Sequence, residues 1–200
     1  MRRVFAFDFD GTLTTTDTLI AVIRYARGTA ALAVGLLLYS PMLVLMKMGL
    51  YPNWKAKQRL FAHFFGGWSL ARFDSCCQQF AATHSHLLRP EGIRLMRQVL
   101  AEGAQVAIVS ASIDNWVAPF FDGMGDVAHR PLIIGTRIEV RGGRLTGRFC
   151  TPNCYGPEKV RRLHEALPHR NTYTLTAFGD SWGDKELLED ADERHYKPFR

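Results

Sequence analysis

Short apolar runs recur along this chain, each closed by a polar turn that carries acids or serines. Val4 to Phe7 runs into Asp8-Phe9-Asp10-Gly11-Thr12, Gln105 to Val109 into Ser110-Ala111-Ser112, and Thr172 to Phe178 into Gly179-Asp180. Mostly apolar runs of this length read as strands buried on both faces. Between them the period changes. Pro90-Glu91-Gly92 opens a helix with Ile93, Met96, Val99 and Leu100 on one face and Gly103 at its end. Ile113 to Phe121 reads as a second helix, and Gly156-Pro157-Glu158-Lys159 starts a third. Thr136 to Val140 and Arg144 to Phe149 flank Gly142-Gly143, a strong hairpin signal. Strands alternating with helices predict an α/β protein with an open, mostly parallel, Rossmann-like sheet. In such sheets ligands bind beyond the carboxyl ends of the strands, which is where Asp8, Ser110 and Asp180 fall.

Residues 18–84 break this alternation. They hold two apolar clusters of helical character, interrupted near Ser40-Pro41 and again near Pro52. An all-helical cap over 18–84 is therefore expected, inserted into a core formed by 1–17 and 85–200. Gly28 to Met46 carries no charged residue and approaches the length of a membrane span. A single crossing is excluded by topology, because it would leave Asp8 on one side of the bilayer and Ser110, Lys159 and Asp180 on the other. Three readings stay open: a buried segment of the cap, an interfacial or re-entrant hairpin bent at Pro41, or the wall of a pocket for a hydrophobic substrate. Arg24, Arg27, Lys47, Lys55 and Lys57 flank it and are placed to meet anionic headgroups or simply water. Trp54, Phe61, Phe64, Phe65 and Trp68 are expected mostly in the interior of the cap.

Composition sharpens the picture. A chain of 200 residues, 47% of them hydrophobic, can bury one core with a small insertion. The net charge of +6 favours anionic partners, but Lys and Arg are scattered, so phosphorylated small molecules or acidic lipid surfaces are expected and nucleic acid is not. Cys76, Cys77, Cys150 and Cys154 match no zinc or disulfide spacing and read as free thiols of a reducing compartment. The first residues lack a long apolar run before Asp8, so no secretory leader is expected and the site is assigned to the cytoplasm, with association at the inner face of the membrane as an open extension.

The strand ends carry the chemistry. Asp8 and Asp10 lie two apart, a spacing that in extended chain aims both carboxylates one way. Asp180 and Asp184 stand four apart, on one face if a helix starts there. Four crowded carboxylates call for a cation, and hard oxygen donors suit Mg2+. Ser110 offers a hydroxyl and neighbouring N–H groups to a phosphate, helped by the dipole of a helix expected just after it. Lys159, in a first helical turn, can bring a positive charge to a phosphoryl group and a nucleophile. Phosphate ester hydrolysis uses such a set: metal, fixed donors, a covalent aspartyl-phosphate and a second carboxyl for proton transfer.

Phe7-Asp8-Phe9-Asp10-Gly11-Thr12-Leu13-Thr14, Val109-Ser110-Ala111-Ser112, Lys159 and Gly179-Asp180-Ser181-Trp182-Gly183-Asp184 resemble, in that order, the four motifs of the haloacid dehalogenase superfamily. The insertion directly after the first motif, the hairpin and Asn153-x-Tyr155-Gly156-x-Glu158-Lys159 resemble its phosphoserine-phosphatase-like branch, which has a helical cap. The resemblance implies Asp8 as nucleophile, Asp10 as general acid/base and Lys159 as the group that stabilises the phosphoaspartate. It implies Thr12, Ser110, Ala111 and Lys159 at the phosphate. For Mg2+ it implies Asp8, the Asp10 main-chain carbonyl and Asp180, with Asp184 in support. Asp10 is the acid that the dehalogenases lack and that transport ATPases replace with threonine, so a phosphatase is expected. Relatives acting on phosphoserine carry Asn where this chain has Gly183, and an Arg and an acid in the cap; Asp17 matches the acid, and no Arg is assigned. The apolar cap resembles the phosphatidylglycerophosphatase C type, which acts on a lipid phosphate. The leading expectation is thus a Mg2+-dependent phosphomonoesterase whose substrate is a lipid phosphate. The alternatives are a phosphatase for phosphoserine or another small metabolite, a phosphotransferase, and a membrane-associated phosphate-binding module without chemistry.

Overall fold

A computed structural model describes residues 2–125 and 130–200. Its elements run β1 (Arg2–Phe7), α1 (Thr18–Leu38), α2 (Ser40–Lys47), α3 (Asn53–Phe65), α4 (Leu70–Thr83), α5 (Pro90–Ala101), β2 (Gln105–Ile113), α6 (Asp114–Val117), β3 (Leu132–Thr136), β4 (Ile138–Arg141), β5 (Arg144–Phe149), α7 (Pro157–Ala166), β6 (Tyr173–Gly179), α8 (Lys185–Asp190) and β7 (Glu193–Tyr196). Five parallel strands form one sheet in the order β3-β2-β1-β6-β7. The pattern read from the sequence appears in the packing. Val4, Ala6, Ala107, Val109, Leu175 and Ala177 face one side, with α7 and α8 over them. Phe7, Val106, Ile108 and Phe178 face the other, continuous with the interior of the cap. A sheet covered on both faces excludes water from its ladder, which is what a parallel sheet requires.

Two strands escaped the sequence reading. β3 is a short edge strand that begins after Pro131, and β7 is polar, Glu193-Arg194-His195-Tyr196, because an edge strand needs no second buried face. The helix expected from Ile113 is shorter than expected. β2 continues to Ile113, with a register break against β3 between Val109 and Ile113, and only then come α6 and a 3-10 turn over Ala118–Phe121.

Four helices, α1 to α4, occupy residues 18–83, where two clusters were read. Phe61, Phe64, Phe65 and Trp68 are buried as expected, and Trp54 is 44% exposed. Gly28 breaks α1, with φ 83° and ψ 163°, so the apolar stretch is not one straight rod. Beyond the break α1 leans on α3: a Cβ on Gly35 would lie 2.3 Å from Cζ of Phe64. The β4–β5 hairpin forms its own two-stranded sheet and is bonded to the cap. Leu145 N donates to Trp68 O at 2.9 Å, Gly67 N to Leu145 O at 2.8 Å, and Phe149 N to Oε1 of Gln58 at 2.9 Å. Gly147 (φ 84°) brings the hairpin against α3, since a Cβ there would meet the Ala62 Cβ at 2.6 Å. All four cysteines are free thiols, and burial pushes Cys154 up to about 11.

Candidate active site

The site grows out of three strand ends. Phe7 pairs with Ile108 and Phe178, so β1 and β6 finish level with one another, while β2 runs on past them to Ile113. Asp8 continues β1 by one residue, its N–H donating to Phe178 O at 2.9 Å, and its side chain is buried. The chain then turns tightly over Phe9–Leu13, with Asp10 at ψ 119° and Gly11 at φ 82°. Gly11 is required twice over. Its φ is left-handed, and a Cβ would stand 2.6 Å from Oδ2 of Asp180. Thr14 closes the turn, its Oγ1 accepting from Gly11 N at 3.2 Å.

This turn parts the two carboxylates that extended spacing would have aligned. Asp8 Oδ1 accepts from Nζ of Lys159 at 2.5 Å, and the same ammonium donates to Oδ1 of Asp184 at 2.5 Å. Asp10 points instead toward the cap. Its Oδ1 accepts from Thr18 N at 2.7 Å and Thr18 Oγ1 at 2.6 Å, and its Oδ2 accepts from Ser112 Oγ. Trp116 Nε1 donates to the Thr18 hydroxyl at 3.1 Å and fixes that rotor. Two acids two residues apart are thereby given different surroundings: one beside a lysine and other carboxylates, the other among hydroxyls. Such a division of environment is what separates a nucleophile from a proton carrier.

Asp180 and Asp184 are placed differently from a helical pair. Asp180 lies in the bend after β6, and Asp184 ends a 3-10 turn before α8. Asp184 Oδ2 reaches back to accept from Asp180 N at 3.1 Å, Ser181 N at 3.0 Å and Ser181 Oγ at 2.8 Å. Oxygens of Asp8, Asp180 and Asp184 lie within 4.8 Å of one another. Asp10's carboxylate stands outside that group, which leaves only its main-chain carbonyl for the expected role at a metal. Three carboxylates, drawn together in a cradle that a side chain on Gly11 would fill, fit a hard divalent cation such as Mg2+. Asp8 and Asp180 are the ligands this geometry favours. Asp184 spends both oxygens on Lys159 and the backbone and holds the others in place. Arg200 donates to Asp180 Oδ2, brought there by Phe199, whose ring stacks on Phe178 at 5.7 Å.

Charge in the site follows from burial. Desolvation pushes Asp8 from the ordinary 3.8 up to about 7, with Asp184 and Asp10 adding to it and Lys159 opposing. Burial disfavours the Lys159 ammonium, yet Asp8 and Asp184 outweigh it and hold the group above the usual lysine range. Asp184 is also desolvated, but Lys159 and Ser181 keep it below the ordinary carboxylate range. Because the raised Asp8 holds a proton that the unfolded chain releases, its contribution to stability is present at pH 4 and is lost as pH rises through about 7. In chelator, wild type should therefore lose melting temperature relative to Asp8→Asn, which cannot ionise, as pH rises across that window.

At the end of β2, where phosphate contacts were expected, Ser110 is buried and its Oγ accepts from Ser112 N at 3.0 Å. Ala111 O accepts from Thr136 Oγ1 at 3.0 Å, which pins the bulge. Thr12 Oγ1 reaches Asp180 Oδ1 at 3.5 Å. The helix expected directly after Ser110 begins four residues later, at Asp114, so the irregular strand end, and not a helix dipole, presents N–H groups there. Asp17 caps α1, accepting from Leu19 N at 2.9 Å. Although that residue is exposed overall, desolvation of its carboxyl and the Asp10 charge raise it, and Lys57 opposes them.

Lys57 is the residue the sequence did not single out as part of the site. It had been grouped with the cations flanking the apolar stretch. It instead lines a narrow crevice between cap and core, with Ala111, Ser112, Trp116 and Phe149. An amphipathic helix shows which positions face inward, but not that the inward neighbour is the irregular end of β2. Phe149 also lines a neighbouring cavity of about 720 Å³, with Trp54, Pro152 and Tyr155 among its walls. Tyr155 explains Gly183. A Cβ at Gly183 would lie 2.4 Å from Cε2 of Tyr155, so the aromatic ring fills the space an Asn would need. Gly183→Asn should cost about 1–3 kcal/mol in denaturant unfolding, and pairing it with Tyr155→Ala should recover part of the loss.

Comparison with known proteins agrees with this geometry. The haloacid dehalogenase-like hydrolase family model matches residues 5–189. Protein CicA of Caulobacter vibrioides is 36% identical over 197 residues, covering 98% of this chain and 86% of that protein. Among solved structures, a Bordetella pertussis Tohama I protein described as of unknown function superposes with a TM-score of 0.83 at 22% identity, covering 97% of this chain and 89% of that one. A probable phosphoserine phosphatase from Vibrio cholerae, unliganded, gives 0.71 at 16% identity over 98% of this chain and 56% of that one. The chain belongs to the haloacid dehalogenase-like hydrolases.

Proposed function

We propose that this protein is a Mg2+-dependent phosphomonoester hydrolase working through an aspartyl-phosphate on Asp8, and that its substrate is a lipid phosphate met at the inner face of the membrane. The observation that supports the chemistry is the difference in surroundings between Asp8, beside Lys159, and Asp10, among the hydroxyls of Thr18 and Ser112. Asp8 attacks phosphorus and forms a P–O bond while the bond to the leaving oxygen breaks. Asp10 gives that oxygen its proton. Asp10, now ionised, then takes a proton from a water that attacks the phosphoaspartate, releasing phosphate and restoring Asp8. Lys159 neutralises Asp8 in the free enzyme and faces the phosphoryl oxygens in the intermediate. A bound Mg2+ would supply charge neutralisation for the phosphoryl group, and Asp8, the Asp10 carbonyl and Asp180 are the groups to hold it, with Asp184 in support. Thr12, Ser110 and Ala111 are the phosphate contacts of this reading.

The lipid reading rests on the cavity beside Phe149, whose walls include Trp54, Pro152 and Tyr155 and which suits an apolar body more than a small polar one. A second reading has its own support. Asp17 and Lys57 stand close enough to feel one another's charge, and Lys57 lines the crevice against Ser112. An acid and a lysine beside a phosphate loop suit a zwitterion, such as a phosphorylated amino acid. The test is phosphate release with Mg2+ from phosphatidylglycerophosphate, phosphoserine, sugar phosphates and an aryl phosphate. Preference for the lipid supports the first reading, and preference for phosphoserine the second. Silence on all of them, aryl phosphate included, overturns the phosphatase reading itself.

A further inference from the structure

The cap presents a surface that the catalytic chemistry does not use. Eight of the eleven exposed large hydrophobic residues among those described fall between residues 34 and 54. Leu37 is 76% exposed, Leu50 68%, Met48 65%, Val34 64% and Leu38 62%. α2, Ser-Pro-Met-Leu-Val-Leu-Met-Lys, contributes no buried residue at all. Isolated exposed leucines are ordinary, but a run of this density on one short segment is not.

Charge identifies the partner. Between Asp17 and Asp74 there is no acidic residue, while seven of the 25 Lys and Arg lie there, Lys47 and Lys55 beside the exposed apolar positions. All 19 acids lie elsewhere, so the positive charge of the molecule is concentrated in the cap. An exposed apolar segment whose charged neighbours along the chain are all cations fits an anionic bilayer. It does not fit a second copy of itself, which would bring two such caps together.

The geometry also decides between lying on a membrane and crossing it. The start of α1 is tied to the active site through Thr18 and Asp10. Past the break at Gly28, α1 continues only to Leu38, and α2 has 8 residues. At about 1.5 Å per residue neither approaches the ~30 Å of a hydrocarbon core. We infer that the distal part of α1, α2 and the turn to Trp54 form an interfacial anchor that seats the cap on an anionic phospholipid surface. Trp54 is exposed here and also lines the cavity that shares Phe149 with the crevice at Ser112, so the anchored enzyme would open that cavity toward the bilayer. This deepens the lipid-phosphate reading and is measured apart from it.

The experiment is co-sedimentation of the full-length protein with phosphatidylcholine vesicles, with and without one part in four of phosphatidylglycerol. Hydrolysis of an aryl phosphate serves as the control for folding. Wild type should bind the anionic vesicles, more weakly at high salt, and Leu37→Glu with Leu45→Glu should lower the partition coefficient about tenfold or more with aryl phosphate turnover unchanged. Lys47→Glu with Lys55→Glu provides a second variant should the first not fold, and should weaken binding to anionic vesicles alone. Wild type that ignores anionic vesicles overturns the inference. So does undiminished binding in a folded variant, or a wild-type dimer that the leucine substitutions render monomeric. Vesicle binding without turnover of any lipid phosphate would sink the substrate reading and leave the anchor standing.

Discussion

Asp8→Asn should lower phosphate release by about four orders of magnitude or more while leaving the fold intact. The amide has nearly the shape of the carboxyl and can still accept from Lys159, so the buried contact at 2.5 Å is kept in altered form. What it cannot do is attack phosphorus. Asp10 cannot substitute, because Thr18 and Ser112 hold it on the other side of the Phe9–Leu13 turn. An Asp10→Asn variant should differ in kind. It keeps the nucleophile and loses the proton carrier, so its loss should be smaller for an aryl phosphate, whose leaving group needs little protonation, than for an alkyl phosphate. Steady-state assays on the two substrates check both statements.

Lys159→Met should be the most destabilising single change in the site. Its side chain is 2% exposed, and its ammonium stands between two buried carboxylates at 2.5 Å each. Methionine keeps most of the volume and removes the charge. Asp8 and Asp184 are then left facing one another in a desolvated pocket, a loss of about 3–5 kcal/mol for a buried pair broken from one side. For a domain of this size that is a fall in melting temperature of about 10 °C. The sign with pH follows. Without Lys159 the carboxylates must take up protons to stay buried, so the deficit should shrink as pH is lowered and grow as it is raised. Calorimetry in chelator from pH 5 to pH 8 measures it. Activity should fall as well, since the proposed reaction sets the same ammonium against the phosphoryl group.

These expectations lean on a candidate site whose gathering at the strand ends was readable in the sequence and whose internal directions were not. Asp8, Ser110 and Asp180 could be found because a parallel sheet exposes the carboxyl ends of its strands, and apolar runs announce where those ends are. The heading of Asp10 was not readable. It depends on a turn with ψ 119° followed by Gly11 at φ 82°, a backbone choice that Asp-x-Asp spacing does not reveal. Nor was the bulge after Val109, which delays the next helix to Asp114, since Ser-Ala-Ser serves equally well as a helix cap. Gly183 could be seen as a departure from the pattern, but its reason, the ring of Tyr155, arrives from 28 positions away in the chain. In the cap, helical character was plain from the apolar clusters. Which helices find partners is a matter of length and assembly: α3 buries Leu60, Phe61, Phe64 and Phe65, whereas α2, the more apolar of the two, has no buried residue.

The claim on which the rest depends is that phosphate passes through Asp8. Borohydride added during turnover of an aryl phosphate reduces an acyl phosphate to the alcohol, so the residue that carried it is found as homoserine by peptide mass spectrometry. The account predicts homoserine at position 8, dependent on substrate and Mg2+ and absent from Asp8→Asn. Steady phosphate release with position 8 recovered as aspartate, or with the reduced residue found elsewhere, would contradict it.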